Sequence, residues 1–105
     1  MISEENIRKL CARGAVRITV HTIKRCEERC ITLKQINRTL VQGSIIKQYP
    51  DDKPYPSCLV LHNLAMPLHV VVSASESELH VITAYYPDPE IWESDLKDKR
   101  GASNA

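Results

Sequence analysis

The chain has 105 residues, of which 43% are hydrophobic and 26% are charged, and its formal net charge is +1. This length predicts a single domain, 1–105, and the charge is too close to zero for a general polyanion-binding protein. No apolar run approaches the roughly 18 residues that span a bilayer, and no signal-peptide hydrophobic region stands at the start. We therefore expect a cytoplasmic protein with no membrane partner.

The charges are distributed unevenly along the chain. Residues 1–43 hold nine Lys and Arg against four acids, a balance of +5, whereas residues 44–105 hold five against nine, a balance of −4. A basic half made mainly of helices can meet a nucleic-acid backbone, or it can be an ordinary solvated surface.

The first 20 residues predict a helix and then an extended segment. Ser3 followed by Glu4 and Glu5 is typical of an N-cap with acids in the first helical turn, and Gly14 is a typical C-terminal glycine. Residues 16–20 alternate apolar and polar side chains and are rich in β-branched residues, which predicts a short strand or an extended lead-in to the next helix.

Residues 21–30 predict a second, amphipathic helix. His21, Arg25 and Arg29 are spaced four apart, so they line one helix face and give it an imidazole and two guanidiniums. A second spacing gives a narrow apolar stripe that can dock on a core: Ile23, Cys26 and Cys30.

The rest of the chain changes from helical to strand periodicity. Thr32 with Gln35 fits a capping box, which predicts a third helix that ends at Gly43. From residue 44 the apolar period changes from about 3.6 to 2, and the short loops between segments favour an antiparallel meander. The four predicted strands are 44–49, 57–64, 68–73 and 79–85.

The C-terminal region carries a further helix signal. Asp88 followed by Pro89 is typical of an N-cap and the first helical position, and residues 97–105 resemble a polar tail. We expect the short last helix to turn three apolar residues inward: Ile91, Trp92 and Leu96.

The predicted fold class is therefore α+β, with N-terminal helices followed by a four-stranded antiparallel sheet and a short C-terminal helix. One face of the sheet is expected to pack against the helices, which leaves the other face available for a site.

The four cysteines include no CxxC pair, so we expect buried free thiols. A metal site on Cys26 and Cys30, completed by a histidine, is the alternative. No P-loop, GxGxxG, HExxH, nucleophile-elbow or zinc-ribbon pattern occurs, and no cofactor or metal is expected.

Two clusters of polar residues can carry chemistry on the predicted helix and strands. Two arginines and a histidine, as at His21, Arg25 and Arg29, can bind a phosphate or stabilise the charge of a phosphorane. The ordinary alternative is that Arg25 pairs with Glu28 along the helix. His69 lies inside an apolar strand, so it is either a candidate acid–base group or a half-buried sheet residue.

Hydroxyl groups form a third cluster. Thr83 and Tyr85 share one face of the last strand, and Ser57 begins the second strand. Such groups can orient a phosphate or a base, and a tyrosine can stack on a base, although Thr and Tyr are also favoured in strands for packing reasons.

Several motifs together resemble a bacterial family known as domain of unknown function 4258, over about residues 20–100. Cys30 stands where that family usually has a glycine. The motifs, in chain order, are His21-x-x-x-Arg25-x-x-x-Arg29-x-Ile31, Tyr49-Pro-Asp-Asp-Lys-Pro-Tyr-Pro-Ser57, Leu68-His-Val-Val and Ile82-Thr-Ala-Tyr85-x-Pro-Asp88-x-x-x-Trp92.

The resemblance implies a more distant similarity to RelE-type toxins and other bacterial ribonucleases, and a RelE- or barnase-like fold. Those proteins cleave RNA without metal, using the ribose 2′-hydroxyl as nucleophile. It implies RNA as substrate and an antitoxin protein as partner, with no DNA expected. The alternative is a non-catalytic module that binds RNA, phosphate or protein.

The same resemblance implies roles for particular residues. His21 or His69 would be the general base or acid, and Arg25 and Arg29 would stabilise the pentavalent phosphate. The residues implied to position the RNA are Tyr85, Thr83 and Ser57.

Overall fold

The computed structural model of the protein describes residues 1–63, 66–93, 95–97 and 99. It is an α+β fold of three helices and one five-stranded sheet. The helices are α1 (Glu4–Ala12), α2 (Val20–Glu28) and α3 (Leu33–Gln42), and the strands are β1 (Val16–Ile18), β2 (Ser44–Tyr49), β3 (Ser57–His62), β4 (Leu68–Ala74) and β5 (Leu79–Tyr85).

The predicted helix boundaries follow from capping chemistry that the structure confirms. The Ser3 hydroxyl accepts a hydrogen bond from the Asn6 amide at 3.0 Å. At the start of α3, Thr32 and Gln35 exchange hydrogen bonds of 3.1 and 2.7 Å between side chain and backbone, which completes the capping box. Among the described residues, no helix is long and apolar enough to cross a membrane.

The sheet differs from the predicted four-stranded antiparallel meander. Strands β2 to β5 are antiparallel as expected, but β1 joins the sheet as a fifth strand, parallel to β5, and the order is β1-β5-β4-β3-β2. Val16 lies opposite Leu79, more than 60 residues later in the chain. A three-residue segment carries too little local pattern to reveal a partner so distant, so the prediction was wrong on this point.

The predicted C-terminal helix is also wrong. The Asp88 carbonyl accepts hydrogen bonds from the amides of Ile91 and Trp92, both at 2.9 Å, but this is a single turn. Trp92 then forms an antiparallel bridge with Lys99, and Leu96 has a positive φ of 62°, which a helix does not allow.

The prediction that this segment turns its apolar side chains inward is correct in part. Trp92 is 4% exposed, whereas Ile91 is 50% exposed. Of the polar tail predicted over 97–105, only Lys97 and Lys99 lie within the described residues.

The core lies between the three helices and one face of the sheet. A β-bulge at Ile82 inserts one extra residue opposite Val72 and reverses the alternation of β5. Val81 and Ala84 therefore both face the helices, whereas Thr83 faces away. We call the sheet face opposite the helices the outer face; it is formed by Lys47, Tyr49, Ser57, Leu59, Leu61, His69, Val71, Ser73, His80, Thr83 and Tyr85.

The prediction of buried thiols is correct for Cys26 and Cys58 and wrong for Cys30, which is exposed. Burial raises the pKa of Cys58 to about 12. Cys30 is turned outward because it occupies the left-handed position after α2, with a φ of 60°. Its amide bonds to the Glu27 carbonyl and the Ile31 amide to the Cys26 carbonyl, which is a Schellman motif.

Replacing Cys30 by glycine is expected to stabilise the fold. The left-handed conformation costs a residue with a side chain roughly 1–2 kcal/mol, and the greater entropy of an unfolded glycine offsets part of that gain. Cys30→Gly should therefore raise the free energy of unfolding by about 0.5–1 kcal/mol in urea titrations. Cys30→Ala, which removes the thiol but keeps the backbone cost, is the control. Equal stability of the two variants would contradict this account.

Candidate functional site

Helix α2 lies along the edge of β5 that β1 leaves unpaired. The parallel pairing with β1 involves only residues 79–81 of β5. Beyond it, the Ile82 carbonyl accepts a hydrogen bond of 3.4 Å from the Thr22 hydroxyl, and the Ala84 carbonyl accepts one of 2.8 Å from Arg29 Nη1. Side chains of α2 therefore complete the hydrogen bonding of the strand edge and fix the helix beside it.

Arg29 also reaches the outer face. The same Nη1 donates to Thr83 Oγ1 at 3.2 Å, and Thr83 lies on the outer face two residues before Tyr85. The sequence-based hypothesis that Arg29, Thr83 and Tyr85 form one site is thus consistent with their positions. A guanidinium has five N–H groups. Within the described residues, those on Nε and Nη2 of Arg29 make no hydrogen bond.

Arg25 and His21 extend a cationic rim along α2 from Arg29. Both are exposed. On a helix, Arg25 lies about 40° round the axis from Arg29, on the side away from the buried Cys26, and His21 lies one turn further back. The alternative pairing of Arg25 with Glu28 is not among the ion pairs of the described chain. We call His21, Arg25 and Arg29 the cationic rim.

His69 is fully buried, with 0% of its surface exposed, and both its ring nitrogens are hydrogen-bonded. Nε2 donates to the Leu96 carbonyl at 2.8 Å. Because burial lowers the pKa of His69, although that hydrogen bond partly opposes the shift, the ring is neutral near pH 7 and its Nδ1 is an acceptor. The Tyr85 hydroxyl therefore donates to Nδ1, at 3.3 Å.

The C-terminal segment is what buries His69. Trp92 packs against the imidazole edge-on, with 4.5 Å between ring centroids, and Leu96 supplies the carbonyl. Among the described residues, the other hydrogen-bond partner of His69 is Tyr85, which is half-buried. Burial, followed by the charge of Tyr49, raises the pKa of Tyr85. The acid–base role implied for His69 remains a prediction, and in this geometry it acts through the tyrosine.

Ser57 lies apart from this group. Its side chain is fully buried and its hydroxyl donates to the Asp52 carboxylate in the loop before β3. It is opposite Ser73, two positions along β4 from Val71, whereas Tyr85 is opposite His69 on the other side of Val71. The role in positioning RNA that the resemblance implies for Ser57 remains a prediction. Because Ser57 is fully buried, it has no surface for direct contact with RNA.

Three further residues of the same face were not among the predicted site residues, although Tyr49 begins one of the family motifs and Val71 follows His69 by two: Lys47, Tyr49 and Val71. Lys47 is exposed, and Tyr49 and Val71 are partly exposed. The two-residue period places Lys47 and Tyr49 together, but only the strand register shows that they share a face with Thr83 and Tyr85.

The alternative of a metal site on α2 lacks a third ligand. Cys26 is 1% exposed in the core, whereas Cys30 is on the surface. In the part of the chain that the structure describes, no group of three or more His, Cys, Asp or Glu residues is placed to hold a metal ion.

Two surface concavities lie outside this group of residues. One of about 680 Å³ is lined by Met1, Tyr55 and Ser75, among others, and one of about 440 Å³ lies between the end of α2 and the start of α3.

The fold and this arrangement define a small α+β protein in which a cationic helix edge adjoins a mixed sheet. Residues 18–86 match the family described as Domain of unknown function (DUF4258), which is more than half of the chain. The chain belongs to this family. No curated protein matches it.

Burial of neutral His69 predicts a pH dependence of folding. The unfolded imidazole takes up a proton near pH 6.5, but the folded one resists protonation because its pKa is lowered. The stability of the fold that depends on neutral His69 is therefore fully present above about pH 6.5. It is lost as the pH falls below that value, by at most about 1.4 kcal/mol per pH unit.

The measurement is urea unfolding at about pH 7.5 and about pH 5.5, which lie above and below the ordinary histidine pKa. His69→Gln should be less stable than the wild type at the higher pH, but its free energy of unfolding should fall less between the higher and the lower pH. His21→Gln, at an exposed histidine, should lose as much as the wild type. A His69→Gln variant with the wild-type pH dependence would disprove the assignment.

Proposed function

We propose that the protein is a metal-independent endoribonuclease that acts on single-stranded RNA, with its site where the cationic rim meets the outer face of the sheet. The observation that carries this proposal is the double hydrogen bond from Arg29 to Thr83 and to the Ala84 carbonyl, because it holds a cation beside Tyr85 in a fixed orientation.

Arg29 and Arg25 have the chemistry that phosphate recognition and cleavage require. Guanidiniums form charge-assisted hydrogen bonds with phosphate oxygens, and a donor fixed in advance stabilises the charge that develops on a phosphorane. Among the described residues Arg29 is held through Nη1, which leaves the Nε and Nη2 hydrogens for the ligand.

His21 is the exposed imidazole of the rim, and imidazole is the side chain that most often transfers protons in general acid–base catalysis. In this proposal it activates the ribose 2′-hydroxyl or protonates the leaving oxygen. Tyr85, supported from behind by His69, positions the sugar.

The hydrogen bond of Tyr85 favours RNA over DNA. Because the phenol donates its hydrogen to His69, its oxygen faces the ligand as an acceptor. The ribose 2′-hydroxyl is a matching donor that DNA lacks.

The family resemblance implies a distant similarity to RelE-type ribonucleases, in which helices precede an antiparallel sheet; here α2 and α3 precede the antiparallel strands β2 to β5, with β1 added in parallel. On that analogy the protein acts in the cytoplasm as a toxin whose partner is an antitoxin protein. Fold analogy is the weaker support, because one fold carries many activities.

A second candidate is RNA or phosphate binding without cleavage. The observation that favours it is the complete burial of His69, which removes one of two implied acid–base groups from direct contact with a substrate.

Cleavage is tested by incubating the purified protein with single-stranded RNA in EDTA and identifying the ends. We expect products with cyclic-phosphate ends. His21→Ala should lower the rate by about 10²- to 10⁴-fold, the usual contribution of a general acid or base. Arg25→Ala and Arg29→Ala should also slow cleavage, and Lys34→Ala, at an exposed lysine of α3, is the matched control.

Two other outcomes separate the candidates. Salt-dependent RNA binding with no products would favour the non-catalytic module. The absence of both cleavage and binding at low salt would rule out both, and cleavage that is equal in all variants would place the site elsewhere.

A further inference from the structure

We propose that the RNA site does not end at β5 but crosses the four antiparallel strands from Arg29 to Lys47, with one unpaired base stacked over Val71 between Tyr49 and Tyr85. This inference rests on the proposed function and names the path of its substrate.

A straight row of side chains crosses the outer face. Lys47 is opposite Leu59, Leu59 is opposite Val71, and Val71 is opposite Thr83, to which Arg29 is hydrogen-bonded. Three strand spacings of about 4.8 Å put roughly 14 Å between the two ends of the row. A cation therefore stands at each end, at a separation that suits an extended backbone of a few nucleotides.

Val71 forms the floor of this path. It is the one residue of β4 that is not buried, in a strand whose other six residues are. The C-terminal segment covers His69 on one side. On the other side Asp52, in the loop before β3, bonds to the buried Ser57. Leu59, beside Val71 in the same row, is 1% exposed, so the gap between the two coverings lies at Val71.

Two tyrosines flank this gap. Tyr85 is in the row of His69 and Tyr49 is in the row of Ser57, so they lie on opposite sides of Val71. Both are partly exposed, and burial, followed by the charge of Tyr49, raises the pKa of Tyr85. Aromatic rings beside an apolar floor are the usual platform for a nucleobase.

The arrangement suits a single strand and not a duplex. A base must leave its stack to lie against Val71, and bases in a duplex are held in theirs. Neither Lys47 nor Arg29 is in an ion pair within the described chain, so both charges are available to phosphates.

The test measures the fluorescence anisotropy of a labelled single-stranded RNA of about ten nucleotides, within the usual site sizes of such proteins. Tyr49→Ala should weaken binding by about fivefold or more, and Tyr49→Phe, which keeps the ring, should bind several-fold tighter than Tyr49→Ala. Lys47→Ala should weaken binding and lower the slope of log K against log salt by about 0.7. Lys34→Ala is the control for loss of a surface lysine.

The outcomes distinguish this inference from the function on which it rests. If Arg29→Ala weakens RNA binding while Lys47→Ala and Tyr49→Ala behave like Lys34→Ala, the path across the sheet is wrong and the rim site stands. If the wild type binds no RNA, the proposed function fails and the path with it. Equal affinity for duplex and single-stranded RNA would also overturn the stacked base.

Discussion

The unpaired edge of β5 is the constraint on which the arrangement of the molecule depends. β1 covers only the first three residues of β5, so the carbonyls of Ile82 and Ala84 need other donors. A buried carbonyl without a partner costs about 1–3 kcal/mol. Thr22 and Arg29 of α2 supply the donors, and in doing so they fix the helix against the sheet edge.

That solution brings structure and charge to the same place. Arg29 has to extend over the strand edge to reach Ala84, and the bulge at Ile82 turns Thr83 outward to meet it. Arg25 and His21 lie one and two helical turns before Arg29, so helix geometry alone places them along the same edge. The side chain that completes the hydrogen bonding of the strand edge therefore also carries a charge of the candidate site.

The C-terminal segment and the loop before β3 determine which residues of the outer face are exposed. The C-terminal segment, through Trp92 and the Leu96 carbonyl, makes His69 a buried neutral group that orients Tyr85. The neighbouring loop covers the other end of the face, and Val71 is left between them. Hydrogen bonds to the protein thus fix the groups at the centre of the site, and pre-organisation of this kind favours both binding and catalysis.

The sequence was sufficient to predict the helix starts and strands that depend on local capping and periodicity. Ser3 and the Thr32–Gln35 box begin helices where expected, and the four longer strands were recognised from their alternation. The missing parts depend on contacts distant in the chain. The parallel pairing of β1 needs β5, the bulge needs the register, and the burial of His69 needs a C-terminal segment whose pattern resembled a helix.

The same distinction holds for the site. The four-residue spacing of His21, Arg25 and Arg29 predicts one helix face, and their role in a site stays a prediction. Lys47 could not be aligned with Thr83 from the sequence, because that alignment depends on the register of four strands. Cys30 is instructive in another way, since its left-handed backbone explains in physical terms why glycine is usual at that position.

The central claim, that the α2 rim and the outer face form one RNA site, is tested most directly by following backbone amide NMR signals during titration with single-stranded RNA. The account predicts that the perturbed amides form one patch, comprising α2 with Arg29, the end of β5 around Thr83, and Val71 on the neighbouring strand β4. Perturbations confined to α3, or spread evenly over the surface, would contradict it.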